Sequence, residues 1–350
     1  MKVKPLILSL LLGAGLTLFF ACKKDDPAAG LRHYTKGVFV VNQGPFSGTG
    51  TITWYDPSTG ETVQDVFGSA NNGAALGEFA QSLTFHQGKA YIAVNGANKV
   101  YVVDGETLQF RDSIPGLQLP RYMLPLDNQF ALISQWGANG LNGSVAKVDL
   151  LTNQVVLTIP TGNGPEKMIR QADGLVVVPN SGGFGVDSTV SILNPGNTAE
   201  LIRLTVPGKN PSTAAIAGFL NGPLGSPTFV YCAGSYLDPA AAGWVGPTGT
   251  AFGSGSPAPP FGYDLVASPD GQTLYLAAGG QVFAIDAAGM RVLFDQPALG
   301  LACDPSTGYL YCADAKDFNS AGEVVIYKPT GEKAGAFTAG VAPGQIIFIP

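Results

Sequence analysis

The chain has 350 residues, only 13% of them charged, and a formal net charge of −6; Gly (47) and Pro (26) make up about a fifth of it. Nothing basic is clustered enough to hold phosphates, which excludes nucleic acid as a partner. The Gly and Pro fall at fairly regular intervals between apolar, strand-like runs, so they read as the turn chemistry of an all-β protein rather than as disorder.

In chain order, "MKVK" is a short basic region, and "PLILSLLLGAGLTLFF" is an apolar run shorter than the roughly 20 residues a membrane-spanning helix needs. Cys22 closes "LFFAC" and is followed at once by "KKDD". This stretch resembles the lipobox of bacterial lipoproteins, with Phe19 and Phe20 as a departure from the usual pattern. The charged residues after Cys22 resemble the export signal of surface lipoproteins of Bacteroidota. The resemblance implies a signal peptide over 1–21, a lipidated Cys22 with a tether over 22–36, and an outer-membrane lipoprotein exposed at the cell surface. Multiple acyl chains make such an anchor stable. The alternative is an ordinary secretory signal with a chance cysteine.

From residue 37 onward one unit recurs: an apolar strand, a turn, a second apolar strand, a polar loop, a third strand ending near Asp, a turn and a fourth strand. At the start, "GVFVVNQG", "GTITWYDPSTG" and "ETVQDVF" supply strands two, three and four, with strand one missing. Full copies are expected over 82–114, 122–159, 168–206, 263–294 and 299–337. Between residues 211 and 262 lies a degenerate copy. There "STAAIAGF" and "TFVYCAG" give two strands, and "SYLDPAAAGWVGPTGTAFGSGSPAPPFG" offers no clear third or fourth. Long loops of this kind are usually functional or disordered. The chain ends on "PGQIIFIP", a first strand with nothing after it. The two ends therefore complete one blade between them. This removes the free sheet edge and predicts an all-β, seven-bladed β-propeller over 37–350, closed by pairing the C-terminal strand with the N-terminal blade.

"KVYVVDGETLQ", "SVAKVDLLTNQVVLTIPTGNGPEKM" and "STVSILNPGN" resemble the YVTN repeats of YncE-like propellers. "GVFVVNQGPFSGTGTITWYDPSTGETVQDVF" and "VPNSGGFGVDSTVSI" most resemble surface lipoproteins of Bacteroidota, some of which, the BtuG-type proteins, capture cobalamin and other corrinoids beside an outer-membrane transporter. The resemblance implies a corrinoid ligand and a TonB-dependent transporter as partner. The repeat itself specifies fold and not ligand, because one superfold hosts many functions.

Catalytic chemistry is sparse. The two histidines, His33 and His86, have no Cys, His or carboxylate at metal-ligand spacing, and His86 sits in a tight hairpin on the face opposite the long loops. "DAKDFNSAGE" groups Asp314, Asp317, Asn319 and Glu323, and reads as a solvated polar loop rather than a calcium site. Cys232 and Cys312 occupy equivalent "YCA" strands and are expected to be buried. Cys303 and Cys312 would be diagonal neighbours on a hairpin, where packing is favoured over a disulfide. No metal, cofactor or catalytic group is expected.

What remains is a surface. The loops joining strands two and three lengthen and vary: "NQGPFSGTG", "NGANK", "SQWGANGLNGS", "PNSGGFGVDS", "GSYLDPAAAGW", "AGGQ" and "DAKDFNSAGE". Those on the opposite face are mostly minimal turns. The long loops set Phe46, Trp136, Phe184, Tyr236, Trp244 and Phe318 beside Asn42, Gln43, Asn95, Gln135, Asn180, Ser181, Asp314 and Lys316. Arg121 and Glu166 open first strands at the same rim. Apolar faces with a few convergent polar groups suit a small-molecule site. The competing reading is that the aromatics pack between blades and the amides cap turns; Trp54, Tyr101 and Tyr327, in third strands, are assigned to such packing. The expectation is a non-enzymatic surface protein that takes a bulky ligand on the loop-rich face and passes it to a transporter. A protein–protein or cell-surface interaction scaffold is the alternative, and a propeller enzyme the third possibility.

Overall fold

Val38, Phe39, Val40 and Val41 are all buried, although successive residues of a strand point to opposite faces. Both faces of this strand must therefore be covered. In the computed structural model, which describes residues 31–218, 228–246, 249–252 and 262–349, neighbouring sheets do the covering. Val38 and Val40 pack with Tyr311, Val324 and Ile346, whereas Phe39 and Val41 pack with Leu83, Ile92 and Val94.

The same arrangement recurs around the molecule. Six four-stranded antiparallel sheets occupy 80–114, 120–160, 169–205, 211–252, 262–295 and 300–341. A seventh joins Pro343–Ile349 to Gly37–Asn42, Thr51–Tyr55 and Thr62–Val63. One apolar cluster fills each junction between consecutive sheets, and the first strands of successive sheets touch one another, so they line the centre. The chain is a seven-bladed β-propeller. We number the blades from the one shared by the two ends. Closure runs through Val38↔Phe348 and Val40↔Ile346, and where blades 7 and 1 meet, a Cβ on Gly300 would collide with the Gly344 carbonyl. The compact unit is His33–Pro350. Cys22, the signal-peptide segment and most of the tether lie outside the described residues, as do 247–248 and 253–261 of the Gly/Pro-rich stretch.

In blades 1, 2, 3 and 6 the Asp at the end of the third strand has a turn to hold. Asp104 accepts hydrogen bonds from the Glu106 and Thr107 amides at 3.0 and 2.9 Å, and its pKa falls to about 2, chiefly through the Thr107 amide. Asp56, Asp149 and Asp286 repeat the device with Ser58, Leu151 and Ala288. This is why the repeat reads so clearly in sequence.

Two expectations need correction. "ETVQDVF" is not a full fourth strand: only Thr62–Val63 pairs, and Val66–Ala70 forms a short helix capped by Asp65, whose carboxylate accepts from the Gly68 amide at 3.1 Å. Its Val66 and Phe67 are buried against blade 1, so tertiary packing outweighs the strand pattern. Blade 5 does have third and fourth strands, Ala241–Gly246 and Gly249–Phe252, hidden in sequence by their small residues. The thiols of Cys232, Cys303 and Cys312 are free, and Cys232 and Cys312 are buried as expected. Trp54 and Tyr327 are buried between blades; Tyr101 packs on Phe67.

Candidate functional site: the loop-rich mouth

Loops leaving second strands and chains crossing from blade to blade emerge on the same side of the ring. At this mouth the large apolar side chains stand outward. Phe46 is 84% exposed, Phe184 69%, and Tyr236 fully so, with Leu237 beside it. Phe46 leans edge-on against Phe79 at 5.8 Å. Exposed apolar groups gathered on one face are the usual mark of a binding surface.

Between blades 3 and 4 this surface rests on a rigid base. The Phe184 amide donates to the Gly140 carbonyl at 3.2 Å and the Ser181 amide to the Gly164 carbonyl at 2.7 Å, stitching the two loops together. The Phe184 ring fills the space a Cβ on Gly140 would need. Trp136 meets Phe184 edge-on at 5.5 Å, and its own face lies 4.2 Å from the Arg121 guanidinium. Arg121 forms a two-pronged pair with Glu166 at 3.1 and 3.2 Å and donates to Gln81, while the Ser181 hydroxyl donates to Glu166 at 2.9 Å. Both charged side chains are largely buried, 16% and 8% exposed. Burial pushes the Glu166 carboxyl above its ordinary pKa, opposed by Arg121.

At the centre of the ring a small polar cavity of about 40 Å³ is lined from first strands and their approaches in all seven blades. Its polar groups come from Gln81, Tyr122, Lys167, Thr213, Asp264 and Gln345, with Ser212 and Gln43 at its edge. Lys167 and Asp264 face each other at 4.0 Å. Burial raises the Asp264 carboxyl pKa, with Lys167 as the main opposing influence. A larger apolar cleft of about 290 Å³ opens beside it between blades 6 and 7, walled by Tyr263, Pro297, Ala298, Leu299, Lys316 and Phe318. Lys316 and Phe318 hold left-handed backbone, φ +50° and +60°, which bulky residues rarely adopt without compensating contacts.

The site residues expected from sequence divide accordingly. Arg121, Trp136, Ser181 and Phe184 form the blade 3–4 base; Lys316, Phe318 and Asp314 line the cleft; Gln43 edges the axial cavity; Phe46 and Tyr236 stand on outer loops. The amides are a correction. Asn42 and Asn180 have no exposed surface. Asn42 donates to Thr51 and Thr53 hydroxyls at 3.1 and 3.0 Å and accepts from the Gly340 amide; Asn180 donates to Thr189 and Ser191, both at 3.0 Å. Gln135 accepts from the Gln118 amide and donates to Ser144 at 3.0 Å, and Asn95 is buried beneath the blade 3 approach, 3.5 Å from the Pro120 carbonyl. Each sits at the end of a second strand, where Asn42, Gln135 and Asn180 tie neighbouring strands of their blade and Asn95 reaches toward the next blade. The hydroxyls facing Asn42, Gln135 and Asn180 on third strands were the signal for this role.

Trp244 is the second correction. It lies in the third strand of blade 5 and packs edge-on against Phe229 at 5.1 Å. Asp314 is committed to the Lys316 amide and to Gln296, and Asp317 accepts from Asn319 and Ser320, its pKa drawn down to about 2 chiefly by the Ser320 amide. The oxygens of that loop thus serve its own turns. Sequence reasoning missed Gln81, Tyr122, Lys167, Thr213, Asp264 and Gln345. Polar residues in or just before the first strands of six blades were the available signal.

Comparison with known proteins adds the following. Residues 36–202 match a family described as a domain of unknown function, DUF5074. No curated protein matches the chain. Among solved structures, a quinonprotein alcohol dehydrogenase-like protein from Bacteroides thetaiotaomicron is similar at 17% identity and a TM-score of 0.64, over 91% of this chain and 79% of that one. A functionally unknown protein from Desulfotomaculum acetoxidans is similar at 14% identity and 0.63, over 89% and 98%. Kuenenia stuttgartiensis hydrazine synthase is similar at 14% and 0.60, over 74% and 85%. At these identities the likeness shows the shared propeller architecture.

Proposed function

We propose that the chain is a non-enzymatic, lipid-anchored surface protein that takes a bulky, amide-rich small molecule across its loop-rich mouth and hands it to an outer-membrane transporter. The observation that carries this reading is the gathering of exposed aromatics, Phe46, Phe184, Tyr236 and Phe318, around a mouth with an apolar cleft and a polar centre. With an axial cavity of only about 40 Å³, the ligand lies over the ring rather than threading through it. The corrinoid class is supported by the resemblance to BtuG-type propellers, and the anchor and cell-surface location by the lipobox-like "LFFAC". The charged pairs at the mouth are satisfied by each other, which suits positioning of a neutral surface better than proton transfer.

Phe184 and Phe318 contribute exposed rings and little to the core. Replacing both with Ala should weaken cobalamin binding at least tenfold, about 1.4 kcal/mol or more, and leave the melting temperature nearly unchanged. Full affinity in that double variant would place binding elsewhere. For the anchor, Cys22→Ala should release the chain from membranes in soluble form; membrane retention in this variant would count against lipidation.

A second reading, a protein-docking scaffold, draws on the same exposed rings, Tyr236 and Leu237 above all. It predicts that a partner protein, and no small molecule, protects these loops from proteolysis.

A further inference from the structure

The residues lining the axial cavity include groups without a hydrogen-bond partner among the described residues. Ser212 Oγ and Thr213 Oγ1 are buried without a hydrogen-bond partner, and Thr213 as a whole is 2% exposed. Buried hydroxyls are normally paired, and one left open lowers stability. Around them stand further open donors. Gln345 accepts from the Leu83 amide at 2.7 Å, which fixes its oxygen and leaves its Nε2 without a partner among the described residues. Tyr122 Oη accepts from Gln81 Nε2 at 3.0 Å and keeps its own proton to give. Gln81 in turn is fixed by Arg121.

The charges tell which kind of group these donors await. Four charged side chains border the cavity or the network beneath it, and they form two opposed pairs: Arg121 with Glu166, and Lys167 with Asp264. An anion or cation entering the cavity would add an uncompensated charge in a confined, partly dehydrated space, which is costly. A neutral group carrying both an oxygen acceptor and an N–H donor meets no such penalty. Its oxygen can accept from Tyr122 and Gln345, and its N–H can donate toward Asp264. The cavity adjoins the apolar cleft, with Tyr263 and Leu299 lining both.

We propose that the axial cavity and this cleft form one composite subsite, which takes a primary carboxamide into the cavity and an aromatic or apolar body against Tyr263, Leu299 and Phe318. The proposal rests on the mouth being the binding face, and it adds the chemistry that is read there.

The test uses three probes with one body and three heads: benzamide, benzoate and benzylammonium, titrated by calorimetry into the full-length chain in detergent. Benzamide should bind saturably, at least tenfold tighter than either charged probe. Tyr122→Phe, which removes the open hydroxyl donor, should lower benzamide affinity at least fivefold. Should that variant fold poorly, Gln345→Glu keeps the acceptor for Leu83 while removing the open donor, and should reverse the preference toward benzylammonium. Benzoate or benzylammonium binding as tightly as benzamide would overturn the neutral head group. Absence of saturable binding by all three would overturn the subsite and leave the cavity to water. Unchanged benzamide affinity in both variants would overturn the assignment of these residues. Cobalamin binding with the benzamide ranking absent would sink this subsite alone, whereas the ranking without cobalamin binding would sink the corrinoid and spare the subsite.

Discussion

Deleting residues 343–350 is expected to abolish the cooperative folded state rather than merely weaken it. This strand supplies the innermost position of blade 1, pairs with Gly37–Asn42 along its length, and packs Ile346 and Phe348 into the junction between blades 7 and 1. Gln345 also ties it to blade 2 through the Leu83 amide. Truncating even one buried side chain of the Ile346 kind costs about 2–5 kcal/mol, against a total stability of about 5–15 kcal/mol for a typical domain. The deletion removes several at once, leaves Val38 and Val40 uncovered, and exposes a strand edge open to aggregation. Ile346→Ala alone should keep the fold with a lowered midpoint. Thermal unfolding followed by far-ultraviolet circular dichroism checks both, and a native-like cooperative transition in the deletion variant would contradict closure by this strand.

Glu166→Ala is the second large effect expected. It would strand the Arg121 guanidinium in a largely buried position and leave the Ser181 hydroxyl without its carboxylate acceptor. Removing one partner of a buried pair costs about 3–5 kcal/mol, most of it from the charge left behind. The paired replacement Arg121→Met with Glu166→Leu should recover much of that loss, since both charges leave together. Because Trp136 stacks on Arg121, ligand affinity should fall in the single variant as well. Urea denaturation gives the comparison. A loss below about 1 kcal/mol for Glu166→Ala would mean the pair behaves as an exposed one.

The blades were legible because their pattern is redundant. A strand such as Gly37–Asn42 is apolar on both faces, and an Asp–turn signature follows third strands at Asp56, Asp104, Asp149 and Asp286. Closure was legible from one surplus strand at the C-terminal end and one missing at the start. The short helix after Asp65 and the outer strands of blade 5 were not. In the first, packing of Val66 and Phe67 wins over strand preference; in the second, Ala and Gly carry no periodic signal. At the mouth, sequence placed Arg121, Trp136, Ser181 and Phe184 on one face, and the structure brings them into one contact network. It could not distinguish amides that meet solvent from amides that tie a blade. Asn42 and Asn180 look like binding residues until the hydroxyls of the adjoining strand are seen to occupy them. The axial groups escaped notice because they come from six separate blades, and only ring closure brings them together.

The measurement that bears most directly on the binding-face account is a calorimetric titration of the purified full-length chain in detergent with cobalamin and cobinamide, with visible absorbance recorded in parallel. The account predicts saturable one-to-one binding in the nanomolar to micromolar range, with a perturbed corrin spectrum. No heat and no spectral change with either corrinoid at micromolar concentrations would contradict it, and would shift the mouth to a different ligand or to a protein partner.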